Sequence, residues 1–191
     1  MKSFLKSALI MIAVIIVLKM TGVMSSVSYY ANAAIMKTGI MDATPGNNAE
    51  VTETLDYNFT IKTLAGEALD FNQFKGKVVF INLWATWCGP CRVEMPSIQE
   101  LYNGLDKDKI QFVILSLDRN EDLPKIMKFV EKNQFTFPVY QPKGFLPALF
   151  QVPSIPTTFI IDKNGNVVSK KVVTTNFNTK KFKNYLEELA N

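Results

Sequence analysis

The sequence predicts an α/β protein in which helices cover a mixed β-sheet. Three observations carry that prediction. Residues 77–85 and 110–118 are almost continuously apolar, as strands buried on both faces are. Helical spacing of apolar residues follows each run. Near the end, Asp162-Lys163-Asn164-Gly165 is hairpin-turn chemistry, which requires one antiparallel pair in the sheet.

The elements follow in order. Residues 1–33 have the form of an export signal: Lys2 and Lys6 lead, residues 8–18 are uninterrupted apolar, and Lys19 closes the run. Two readings stay open. Ala31-Asn32-Ala33 offers a small-x-small cleavage site, or the segment is retained as a membrane anchor across residues 4–24. The apolar run is short against the roughly 20 residues that a span needs. In both readings the leading lysines favour a cytoplasmic amino terminus and an exported body. Residues 34–56 read as a linker or loose lead-in, with turn chemistry at Thr44-Pro45-Gly46-Asn47-Asn48. Residues 57–191 form the folded domain.

Within it, residues 58–62 alternate like a strand and Leu64-Ala65-Gly66-Glu67 turns the chain back. Phe71 and Phe74 mark a short helical turn before the first buried strand. Helical spacing starts near Cys91, with Val93, Ile98, Leu101, Tyr102 and Leu105 on one face and Pro96 inside. After the second buried strand, residues 123–132 read as a helix with Ile126, Met127, Phe129 and Val130 inward. Residues 135–152 carry Phe137-Pro138, Gln141-Pro142 and Leu146-Pro147, which break regular structure. They read as an apolar loop packed on the core, or as an element that shapes partner choice. Residues 157–161 are a third buried strand, residues 166–173 its hairpin partner, and Asn178 or Thr179 caps a last helix. The predicted order is β-β-α-β-α-β-β-α.

Composition excludes several functions. The net charge is +4, and Lys2, Lys6 and Lys19 supply three of those charges in a stretch without acids, which leaves +1 for the rest. No basic face for nucleic acid is indicated. The chain has no histidine, so Ser-His-Asp triads, Cys-His nucleophile pairs and His-based metal sites are out. It has two cysteines, three positions apart, so neither staples distant parts of the fold. A four-sulfur zinc site needs two more cysteines, and a haem attachment site needs histidine where Arg92 stands.

What remains for Cys88-Gly89-Pro90-Cys91 is redox chemistry or an inert buried pair. The pair follows a buried strand and opens a helix. Unpaired N–H groups and the positive end of the dipole there stabilise a thiolate at Cys88. Cys88 would attack a substrate disulfide and Cys91 would resolve the mixed disulfide; run backwards, the same steps oxidise a dithiol. Glu94 lies one helical turn after Cys91. Two readings of it are open: a solvated surface residue, or a partly buried carboxylate of raised pKa that moves the exchange proton.

The run Trp84-Ala85-Thr86-Trp87-Cys88-Gly89-Pro90-Cys91 resembles the thioredoxin active site. Val79-Phe80-Ile81-Asn82-Leu83-Trp84 before it and Arg92-Val93-Glu94-Met95-Pro96 after it resemble the TlpA/ResA-like branch of exported thiol–disulfide oxidoreductases. The likeness runs from about Tyr57 to the carboxyl end. It implies a thioredoxin-like fold, a central mixed β-sheet flanked by helices with an extra N-terminal β-hairpin. It also implies that Ile155-Pro156-Thr157-Thr158-Phe159 is the family's cis-proline loop, although X-Pro bonds in general are cis in only about 5–6% of cases. Cys88, Cys91 and Glu94 are then the expected catalytic residues. Trp87, Gly89, Pro90, Ile155 and Pro156 are the expected substrate contacts, with Trp84 as support. Asn82 stands where cytoplasmic thioredoxin has a buried aspartate, a departure shared with the branch.

The resemblance implies no cofactor beyond the Cys88–Cys91 disulfide, no metal, and a monomer acting on protein disulfides or dithiols in the cell envelope. A membrane thiol donor would supply the electrons. The Gly89-Pro90 pair matches reducing thioredoxin, near −270 mV, rather than the oxidant DsbA, near about −120 mV. This favours a reductant, with cytochrome c maturation as one family role. A disulfide-forming oxidase, a thiol peroxidase and a copper-binding module are the alternatives. The peroxidase lacks its upstream proline motif, and the copper module lacks its histidine.

Overall fold

In the computed structural model, residues 6–7, 11–12, 23–36, 38–45 and 53–191 are described. Most of the leading apolar run and Gly46-Asn47-Asn48 lie outside them. Among the described residues no helix is long and apolar enough to cross a membrane. Helix α1 (Val23–Met36) carries Ala31-Asn32-Ala33 within it.

One seven-stranded sheet organises the domain. Its strands are β1 (Thr60–Thr63), β2 (Ala68–Asp70), β3 (Val78–Trp84), β4 (Ile110–Ser116), β5 (Val139–Pro142), β6 (Thr157–Ile161) and β7 (Val167–Lys171), in the order β2-β1-β5-β4-β3-β6-β7. β3 runs parallel to β4, and β4 to β5. The pairs β1–β2, β1–β5, β3–β6 and β6–β7 are antiparallel, so the sheet is mixed. The β1–β2 hairpin extends it beyond β5. Every residue of β3 and of β6 is buried, which explains their largely apolar character; the polar exceptions, Asn82, Thr157 and Thr158, are sealed as well.

Helices α2 (Gly89–Asn103), α3 (Leu123–Lys132) and α4 (Lys180–Ala190) complete the fold. Thr179 caps α4 by accepting from Phe182 N–H, a contact of about 1 kcal/mol. Phe80, Trp84, Met95, Ile98, Ile126, Phe177 and Phe182 fill one layer of core, with residues from all three of these helices. The other layer holds Val79, Ile81, Leu83 and Phe159, covered by Tyr57, Phe59, Phe71, Phe74 and Phe150. Irregular chain and short 3₁₀ turns therefore close the second face, and phenylalanine supplies the bulk there. Phe59 stacks on Phe71 at 4.2 Å between centroids.

Three details differ from the sequence reading. A strand, β5, lies inside the segment read as loop. Pro138 sits just before it and Pro142 ends it, so the prolines bound the strand without interrupting it. Met127 is half exposed while Ile126 is sealed, because Ile126, Phe129 and Val130 alone keep the i, i+3, i+4 spacing of a buried stripe. Residues read as a loose lead-in touch the body: Asp42 bridges Asn176, Thr54 bridges Asn166, and Ala43 and Leu55 are buried.

Candidate active site

The chain leaves β3 at Trp84 and enters α2 at Gly89, so Cys88 is the N-cap of α2. Its backbone is extended and its sulfur accepts from Cys91 N–H at 3.1 Å. A free N–H of the first helical turn thus points at the sulfur where negative charge develops when the disulfide opens. Pro90 in that turn sacrifices no hydrogen bond, since its N–H would have had no helical partner. Cys88 and Cys91 are joined by a disulfide. Cys91 is fully buried and Cys88 is 5% exposed, so Cys88 is the sulfur a partner reaches.

The Ile155–Pro156 bond is cis. The loop it shapes brings Ile155 O to 3.7 Å from Cys88 Sγ. Trp87, Leu117, Val152, Pro153, Ser154 and Ile155 line a groove beside the disulfide. Trp87 is 64% exposed, although most indoles are covered. Pro156 is buried, Gly89 is buried and Pro90 is half-buried; these three lie outside the lining of the groove. Trp84 is sealed and packs on Phe129, 5.4 Å between centroids.

Glu94 is fully buried, which excludes the solvated-surface reading. Asn82 Nδ2 donates to Glu94 Oε1 at 2.7 Å and to Thr158 Oγ1 at 2.8 Å, across the register pair Asn82–Thr158 of β3 and β6. Thr175 N–H donates to Glu94 Oε2 at 3.1 Å. Burial pushes the Glu94 carboxyl up to about 8, against the opposing pull of those two hydrogen bonds. A group poised there can hold or release a proton at neutral pH, one turn from Cys91.

Asp118 is a site residue that sequence reading missed. It is 6% exposed, yet its carboxylate accepts from Thr86 N–H at 2.8 Å, Thr86 Oγ1 at 2.7 Å and Ser116 Oγ at 2.7 Å. It pins the loop two residues before Cys88 to the end of β4. The available signal was an acid closing an otherwise apolar strand. Among the described residues no cluster of metal-ligating side chains occurs.

Comparison with known proteins agrees with this geometry. The AhpC/TSA family matches residues 56–170. The thiol-disulfide oxidoreductase ResA of Bacillus cereus is 39% identical over 114 residues, 59% of this chain and 65% of that protein. The chain thus spans slightly under two thirds of that relative. ResA of Geobacillus thermodenitrificans is 36% identical over 133 residues, 69% of this chain and 74% of the relative. The crystal structure of a Chlorobium tepidum protein described as thiol:disulfide interchange protein DsbE superposes with a TM-score of 0.60 at 27% identity. It covers 73% of this chain and 99% of that one.

Proposed function

This chain belongs to the AhpC/TSA family, with ResA proteins among its relatives, and on that premise we propose that it is a thiol–disulfide oxidoreductase that reduces disulfides of exported proteins. The observation that carries the reading is the disulfide at the N-cap of α2, its outer sulfur beside an exposed groove and its inner sulfur one turn from a buried carboxylate.

In the reduced protein, Cys88 thiolate attacks one sulfur of a substrate disulfide. A mixed disulfide forms and the first substrate thiolate leaves. Cys91, its proton passed toward Glu94, then attacks Cys88 Sγ. The Cys88–Cys91 bond forms and the second substrate thiolate leaves, so the substrate gains two electrons and the enzyme loses two. Trp87 and Ile155 meet the substrate, and the turn at Gly89-Pro90 holds the sulfurs in reach of each other. A thiol donor at the membrane restores the dithiol. No other cofactor and no metal takes part.

The body works outside the cytoplasmic membrane as a monomer. Residues 1–33 serve either as a cleaved signal or as a tether, ahead of the 34–56 lead-in and the 57–191 domain. Apocytochrome c thiols are one fitting substrate class, favoured by the family resemblance. The Gly89-Pro90 pair supports the reducing direction.

Equilibration with glutathione or dithiothreitol buffers tests the reading. A potential near about −270 mV supports the reductant; one near about −120 mV makes the protein a disulfide-forming oxidase instead. Absence of a reversible couple overturns the catalytic claim.

A further inference from the structure

The loop between β7 and α4 is held from two sides. On the inner side, Thr175 N–H binds Glu94 Oε2, and Ser97 Oγ of α2 accepts from Phe177 N–H at 3.1 Å. On the outer side lies chain from the other end of the sequence. Ala43 N–H donates to Asn176 O at 2.8 Å, and Asn176 N–H donates to Met41 O at 2.7 Å, as in a short parallel strand pair. Asn176 Nδ2 donates to Asp42 Oδ1 at 2.7 Å. Ala43 is 3% exposed and sits in the same core layer as Cys88, Cys91 and Met95. Thr174 and Thr175, which line one pocket with Ala43, are each 4% exposed.

We propose that residues 41–44 are a clamp on the redox site: they press the 174–177 loop onto α2 and so keep water from Glu94, making Ala43, Asp42 and Asn176 positioning residues for that carboxylate. The inference rests on the reading that Glu94 serves the exchange reaction, but it concerns what holds Glu94 in place. An unpaired loop backbone would fray toward solvent, because Asn176 would lose both backbone partners that Met41 and Ala43 supply. Thr175 N–H is next in the chain, and with it would go the seal over Glu94 Oε2. The charged groups of the clamp are Asp42, exposed and paired with Asn176, and Lys171, buried with Nζ 3.4 Å from Thr44 Oγ1. Neither is among the groups that act on Glu94, which are its own burial, Asn82 and Thr175.

The test reads the protonation of Glu94 directly in the full chain. The infrared band of its protonated carboxyl is titrated, with Glu94→Gln identifying the band. Ala43→Pro deletes the N–H that binds Asn176 O and lies outside the sheet. It is expected to lower the midpoint by about one pH unit or more, as water regains the carboxylate. Ala43→Gly keeps that N–H and is expected to hold the wild-type midpoint. Asp42→Ala removes only the side-chain clasp and is expected to lower the midpoint by less, which carries the test if Ala43→Pro does not fold. A midpoint unmoved in the folded variants overturns the clamp, and so does an equal fall in Ala43→Gly. Both results are independent of turnover, so the role of Glu94 in exchange stands or falls separately, on the rate profile given below.

Discussion

Asn82 and Glu94 meet in the sealed interior, where Asn82 Nδ2 donates to Glu94 Oε1 at 2.7 Å and neither side chain reaches solvent. Asparagine cannot ionise, so the one titratable group of the pair is the glutamate. The same Nδ2 also binds Thr158 on β6, so the carboxylate is tied through Asn82 to the strand that follows the cis proline. The buried carboxylate and the strand after the cis proline are thus joined by one amide.

A rate profile follows from this pair. Resolution of the mixed disulfide needs the Cys91 proton to leave; in the proposed mechanism Glu94 accepts it in its ionised form, which gains population as pH rises through about 8. Wild-type resolution is expected to accelerate across that range. In Glu94→Gln the inflection disappears and the rate above it falls by about 10²-fold. Stopped-flow release of a reporter thiol from a preformed mixed disulfide checks this. An unchanged profile in the variant removes Glu94 from the proton path.

Stability has its own pH signature. The Glu94 carboxyl is raised in the fold from an ordinary 4.5 to about 8. The folded state therefore binds this proton more tightly than the unfolded state does. Stability from this group is full below about 4.5, declines as pH climbs from there to about 8, and is level above. Glu94→Gln removes the slope. Its guanidinium midpoint relative to wild type should be higher at alkaline pH than at acid pH. Parallel curves for the two proteins would contradict the raised carboxyl.

How far the sequence discloses this molecule depends on how local each feature is. Cys88 and Cys91 are legible because they share one helix start; spacing puts Glu94 one turn on, but its burial is set by Asn82 and Thr175 from distant parts of the chain and is not local. β3, β4 and β6 are legible because burial leaves each of them mostly apolar, with few polar residues interrupting the run. β5 is four residues that follow one proline and end on another, and only its place between β1 and β4 makes it a strand. Asp118 lies 32 positions from Thr86, so nothing local reveals their contact. The lead-in is turn-rich in sequence and has no periodic apolar pattern, and its pairing with Asn176 spans most of the chain.

Asp118 offers a test of how the cysteine loop is held. Its two oxygens take three hydrogen bonds, and an amide in their place has one acceptor and turns N–H groups toward donors. Asp118→Asn should cost about 1–3 kcal/mol in chemical denaturation. Thr86→Val should also destabilise, and Thr86→Ser should stay near wild type because the hydroxyl remains. The double variant Asp118→Asn with Thr86→Val should lose less than the two singles together, by about 0.5 kcal/mol or more. Strict additivity would mean the two side chains do not act as a unit.

Trp87 separates binding from folding. Its indole is largely exposed at the mouth of the groove formed with Leu117, Val152 and Ile155, so the fold gains little from it. Trp87→Ala should leave the denaturation midpoint within about 0.5 kcal/mol of wild type. An exposed aromatic anchor beside the reactive sulfur matters when a protein partner covers it, and its loss should raise KM for a protein disulfide about tenfold. A small disulfide such as oxidised glutathione brings no protein surface to cover the indole, so its turnover should barely change. Steady-state assays with both substrates decide the matter. Equal losses on the two would show that Trp87 shapes the reactivity of Cys88 itself, and the groove would cease to be the docking surface.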